Sequence, residues 1–61
     1  MAANTVWQSA EVAGSRAYVR AGLRGDYEIA VDGIYFGIAH SLGDAKAIAL
    51  EALEVVIRGE A

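Results

Sequence analysis

The apolar and polar positions of this chain change period once, and that change divides it into a sheet and a helix. From Ser15 to Arg24, Ala17, Val19, Ala21 and Leu23 alternate with Arg16, Tyr18, Arg20 and Arg24, the period-two pattern of a half-buried strand. Alternation resumes from Asp26 to Ala39, DYEIAVDGIYFGIA, on both sides of Asp32-Gly33. Asp-Gly between two alternating runs predicts a two-residue type I′ hairpin, whose central residues both need positive φ. That loop places Val31 opposite Ile34, Ile29 opposite Phe36 and Tyr27 opposite Ile38, so six apolar residues share one face. Asp26, Glu28, Ala30, Tyr35, Gly37 and Ala39 fall on the other. A three-residue connection, Arg24-Gly25-Asp26, sets Leu23 beside Tyr27 and Ala21 beside Ile29.

After Ala39 the period becomes helical. Ser41, followed three residues later by Asp44, is an N-cap signature, and Gly59 stands where a C′ glycine belongs. At 100° per residue, Ala45, Ile48, Ala49, Ala52 and Val56 form one stripe, whose three alanines permit close approach to a sheet. Asp44, Ala47, Glu51, Glu54 and Arg58 lie opposite, with Glu54 and Arg58 at a favourable i,i+4 spacing. Leu50, Leu53 and Ile57 add a second apolar flank, to be covered by the N-terminal segment or by a second molecule. Met1 to Gly14 fits two templates: a short helix with a Thr5…Gln8 capping box, or a strand that turns at Gly14-Ser15. The strand is the reading adopted here. Trp7 anchors the core edge in either case. The pattern therefore predicts one α+β domain over residues 1–61. A three-stranded antiparallel β-meander is covered on one face by a C-terminal α-helix, in the order βββα, with an additional N-terminal strand or short helix.

Size sharpens this picture. A 61-residue domain buries only about 60% of its unfolded surface, so a 56% apolar content leaves a surplus for a partner or self-association surface. Monomer and homodimer both remain open. Eight acidic against five basic residues give a net charge of −3, which disfavours bulk attraction to nucleic acid. The chain has no cysteine, and neither a leader-like start nor a long apolar run is read in it, so a cytoplasmic protein is expected.

Candidate chemistry is sparse. His40 is the only histidine and cannot build a Cys/His metal site, and its neighbour Ser41 is wanted as a helix cap. The seven glycines match no phosphate-binding loop. Neither an enzyme nor a cofactor is expected. Arg16, Tyr18 and Arg20 share one strand face, a set that could stack on and neutralise nucleic acid, although pairing of Arg20 with Glu28 is the simpler outcome.

The segment YEIAVDGIYFGIAHSLGDAKAIALEAL resembles two groups of small proteins. One comprises phage proteins with a tryptophan near the start, a meander and a helix opening like Ala39-His40-Ser41-Leu42-Gly43-Asp44-Ala45-Lys46 here, and the chain is similar to type I-C anti-CRISPR inhibitors among them. The other is the N-terminal domain of HicB-type antitoxins, from which this sequence departs in lacking the Pro-Gly-Cys-type turn. The first resemblance implies an acidic inhibitor that binds a subunit of a CRISPR surveillance complex in the host cytoplasm and blocks DNA binding by mimicking DNA charge. The second implies binding of a small toxin. On the mimicry reading, the contacts are Asp26, Glu28 and Asp32 with Tyr35 as aromatic anchor, then Glu51 and Glu54.

Overall fold

The computed structural model describes residues 5–59, so the first four residues of the segment Met1 to Gly14 lie outside the described residues. Four strands and one helix follow in order: β1 (Thr5–Gln8), β2 (Ala17–Ala21), β3 (Tyr27–Val31), β4 (Ile34–Ala39) and α1 (Leu42–Ile57). The strands form one antiparallel sheet in the order β1-β2-β3-β4, and α1 packs across β2, β3 and β4 on one face. The fold is thus the expected α+β meander with a C-terminal helix, and the N-terminal segment is its fourth strand.

Each turn follows from local chemistry. Asp32 (φ 51°) and Gly33 (φ 83°) adopt the positive dihedrals of a type I′ turn. Ala13 (φ 53°) and Gly14 (φ 82°) make a second turn, closed by Val12 N–H to Ser15 O at 2.8 Å and Ser15 N–H to Val12 O at 2.9 Å. This turn lies one residue before the expected Gly14-Ser15, because Ala13 accepts a left-handed conformation that its Cβ disfavours. Between β1 and this turn the ladder breaks, and Ser9 repairs it. Its backbone N–H donates to Ala17 O at 2.9 Å, while its hydroxyl accepts the Ala17 N–H at 2.9 Å and donates to Ala10 O at 2.8 Å. Ser9 is accordingly the one buried polar residue among those described.

Two registers differ from the pattern-based expectation. Between β2 and β3, Ala21 pairs with Tyr27 and Val19 with Ile29, two residues away from the expected alignment. The connection is five residues, Gly22 to Asp26, closed by Gly22 N–H to Asp26 O at 2.8 Å. A side chain at Gly22 would displace the Asp26 carboxylate, which packs over the glycine. The longer loop removes Leu23 from the core and leaves it fully exposed. Between β3 and β4, Val31↔Ile34 and Ala30↔Tyr35 hold, but a bulge at Phe36 resets the ladder to Ile29↔Gly37, Glu28↔Ile38 and Tyr27↔Ala39. One extra residue inverts the alternation beyond it. Ile38, expected inside, therefore lies on the outer face and is 46% exposed, while Ala39 is buried.

The core is built from small residues. Ala17, Val19, Ile29, Val31 and Ala39 of the sheet meet Ala45, Ala49, Ala52 and Leu53 of α1, with Trp7, Tyr27, Phe36, Leu42 and Val56 packed around them. Relative to the expected stripe, Leu53 has moved inward and Ile48 to the rim, so Leu53 is not part of any exposed flank. Ser41 caps α1 by accepting the Asp44 N–H at 3.2 Å, and Gly59 (φ 76°) ends it as its C′ residue, with its N–H on Val56 O at 3.0 Å. Lys46 Nζ stands 5.9 Å from the Trp7 ring centroid, which ties the helix to β1.

Ser9→Ala leaves the buried Ala17 N–H without an acceptor. We expect a loss of about 1–3 kcal/mol in urea denaturation, with the Ala17 amide exchanging faster than its neighbours at equal global stability. Unchanged stability and exchange would show that water replaces the hydroxyl.

Candidate functional site

The sheet face not covered by α1 carries two cross-strand rows. Thr5, Arg20, Glu28 and Ile38 form one, and Gln8, Tyr18, Ala30 and Tyr35 the other, each row taking one residue from each strand. Arg20 Nη2 lies 3.3 Å from Glu28 Oε1, the cross-strand pair the sequence predicts. Both side chains are partly solvated, so the pair contributes at most about 1 kcal/mol. Ala30 sits between Tyr18 and Tyr35 in the register and is buried, whereas Tyr35 is 59% exposed. Arg16 closes this face at the hairpin end. The Nε–H groups of Arg16 and Arg20 are buried without a partner among the described residues.

The expected hairpin carboxylates are not brought together. Asp26 and Asp32 stand at opposite ends of β3, about 20 Å apart at strand rise. Each is also engaged within the chain. The carboxylate of Asp26 packs against Gly22. Glu28 pairs with Arg20. Asp32 accepts the Ser15 hydroxyl at 2.6 Å on Oδ2 and the Arg16 N–H at 3.3 Å on Oδ1, and its own N–H donates to Arg16 O at 3.4 Å.

The helix presents a different arrangement. Asp44, Ala47, Glu51, Glu54 and Arg58 are all exposed on the side of α1 away from the sheet. Glu54 pairs with Arg58 at 2.9 Å across one turn, as the i,i+4 spacing predicts, while Asp44 and Glu51 have no ion-pair partner among the described residues. Asp44 and Glu51 are seven residues apart, hence about 10 Å along the axis. Capped at both ends and backed by the sheet, this acidic ridge has fixed geometry.

Among the described residues no three His, Asp or Glu side chains cluster closely enough to hold a metal ion, and no pocket is enclosed. Nor is any described helix long and apolar enough to cross a membrane. His40 is exposed, and the Ser41 hydroxyl is occupied by the Asp44 N–H. Pattern reading missed Ser9 and Ser15, whose roles depend on where loops return to strands, and it missed Ile38 as a surface residue. Gly37 inside a strand run was the available signal for the bulge that turns Ile38 outward. Compared with protein-family models, curated proteins and solved structures, the chain finds no match.

Replacing Asp32 separates turn geometry from hydrogen bonding. Asp32→Asn keeps a residue suited to positive φ and an acceptor oxygen, and is expected to cost less than about 1 kcal/mol. Asp32→Ala loses both side-chain bonds and the favourable turn residue, and is expected to cost about 2 kcal/mol in chemical denaturation. Equal effects of the two would remove the role given to the carboxylate.

Proposed function

We infer that this chain is a non-catalytic inhibitor of the anti-CRISPR kind, which binds a subunit of a CRISPR surveillance complex in the host cytoplasm and keeps DNA off it. The target class comes from the resemblance of Tyr27 to Leu53. The observation that carries the mechanism is the ridge of exposed carboxylates on a rigid helix, Asp44, Glu51 and Glu54, whereas Glu28 and Asp32 of the hairpin are bonded within the chain. Carboxylates held on a capped helix can replace phosphates in a basic groove with little ordering cost on binding. This changes the order expected from sequence: Glu51 becomes the primary contact, Glu54 shares its charge with Arg58, and Asp26, Glu28 and Asp32 become secondary. Tyr35 remains an exposed aromatic anchor on a separate surface.

A small basic toxin would fit the same ridge, and the strand and helix order favours this as the second reading. Direct nucleic-acid binding by Arg16, Tyr18 and Arg20 is disfavoured, because Arg20 is already neutralised by Glu28.

Co-purification with a type I CRISPR complex, followed by a DNA-binding assay of that complex, separates these readings. Recovery of a complex subunit with loss of DNA binding supports the inhibitor, and recovery of a small toxin alone would replace it with the antitoxin. Within a recovered complex, Glu51→Lys is expected to slow association about tenfold at low salt and flatten its salt dependence, with Glu28→Lys having a smaller effect. Association rates insensitive to both charge reversals would mean that mimicry of phosphate is not the mechanism.

A further inference from the structure

We propose that Asp32-Gly33 is a modification site, at which this chain closes a succinimide and reopens it as isoaspartate, and that the hydrogen bonds on the Asp32 carboxylate set the rate. This chemistry is independent of the inhibitor reading, since it belongs to the turn itself.

The reaction needs only a carboxyl group and the amide that follows it. Gly33 N attacks Asp32 Cγ, a C–N bond forms, and one carboxyl oxygen leaves as water with the amide proton and a second proton from solvent. Water then adds to the five-membered imide. Addition at Cγ restores aspartate, whereas addition at the Asp32 main-chain carbonyl breaks its bond to Gly33 N and routes the main chain through Cβ and Cγ. One water is lost and one regained, and no oxidant or reductant is consumed.

Sequence and exposure single out this position. The chain has three aspartates, followed by Tyr27, Gly33 and Ala45, and its one asparagine is followed by β-branched Thr5. Only Gly33 presents an amide with no side chain beside it. It is exposed, and a Cβ built on it would meet nothing within 4 Å, so water has access. The Ala45 N–H is instead held by Ser41 O at 2.9 Å at the start of α1.

The native turn holds the reaction off. With φ of 51° at Asp32 and 83° at Gly33 the turn is type I′, whose first central residue has ψ of about +30°. Ring closure needs Gly33 N eclipsed with Cβ about the Asp32 Cα–C bond. At that ψ the two stand about 150° apart, because Cβ lies about 120° from the backbone nitrogen on the far side. The carboxylate is also engaged elsewhere: Oδ2 accepts the Ser15 hydroxyl at 2.6 Å and Oδ1 the Arg16 N–H at 3.3 Å, while the Asp32 N–H donates to Arg16 O at 3.4 Å. Closure therefore requires two events together. The carboxylate must leave Ser15 and Arg16, and Gly33 must swing round with the start of β4. That start is lightly held. Ile34 and Tyr35 are 51% and 59% exposed, so peeling them from β3 gives up little apolar burial, and a local opening of the hairpin suffices. The product undoes what restrained it: the side-chain carbonyl becomes main chain, the turn gains one atom, and its tie to β2 is lost.

Incubation of the 61-residue chain at neutral pH and body temperature, with isoaspartate located in the tryptic peptide of residues 25–46 by electron-transfer fragmentation, tests this. Isoaspartate is expected at Asp32 ahead of Asp26 and Asp44, at least about tenfold more slowly than in the same chain unfolded in guanidinium chloride. Ser15→Ala should raise the rate in the folded chain at least about fivefold and leave the unfolded rate unchanged. Ser41→Ala removes the α1 cap at the other end of β4 and weakens the fold without touching the turn, so the rate should stay within about twofold of wild type. Equal rates in the folded and unfolded chain would overturn the proposal, as would a Ser15→Ala rate that matches wild type. So would acceleration by Ser41→Ala as large as by Ser15→Ala, because the reaction would then pass through global unfolding.

Discussion

The carboxylate of Asp32 joins the two halves of the sheet. Its backbone supplies the first positive φ of the β3–β4 turn, and its side chain and N–H bind Ser15 and Arg16 at the start of β2. One residue thus closes the second hairpin and fastens it to the strand that precedes it in the sheet. Everything downstream depends on that closure. With Val31 and Ile34 fixed opposite each other, the bulge at Phe36 is counted from a known origin, and the faces of Ile38 and Ala39 follow. A slip at Asp32 would exchange the interior and exterior of β4.

The division of charge follows from the same geometry. Cross-strand pairing occupies Glu28, and turn formation occupies Asp32, so the sheet's acidic groups are largely spent on holding it together. Helical spacing leaves Asp44 and Glu51 outside any ion pair among the described residues. The exposed helical carboxylates thus form an acidic strip, while the outer sheet face carries the aromatic surface. A binder with two such surfaces can use salt-sensitive steering on one side and apolar contact on the other.

Sequence reading succeeded where one local rule sufficed. Asp32-Gly33, Ser41 with Asp44, Gly59, and the Glu54–Arg58 pair all follow from spacing within an element or across one known turn. It failed where the answer needed two segments at once. The β2–β3 loop could be three or five residues without changing which face Ala21 and Val19 occupy, because a shift of two preserves parity, and only packing expelled Leu23. The bulge at Phe36 changes parity, and its local trace was Gly37 alone. The candidate site shared this limit: the carboxylates could be placed on a face, but Ser15 and the Arg16 N–H, which claim Asp32, lie 16 or 17 residues away in sequence.

Five of the nine residues in the buried cluster are alanine: Ala17, Ala39, Ala45, Ala49 and Ala52. Alanine lets the helix lie close to the sheet, and it also fixes how this core can drift. Every alanine codon lies one base away from valine, glycine, serine, threonine, proline and an acidic residue. At these sites, valine and threonine overfill the helix–sheet gap. Aspartate or glutamate buries a charge there, and proline or glycine weakens the element itself. Serine is the mildest neighbour, and only where its hydroxyl finds an acceptor. A core made of larger residues can shrink by a methyl group in one mutational step, as isoleucine does to valine, and survive. This one has almost no smaller apolar residue to step down to, so lineages carrying it should hold these positions more tightly than their modest side chains suggest.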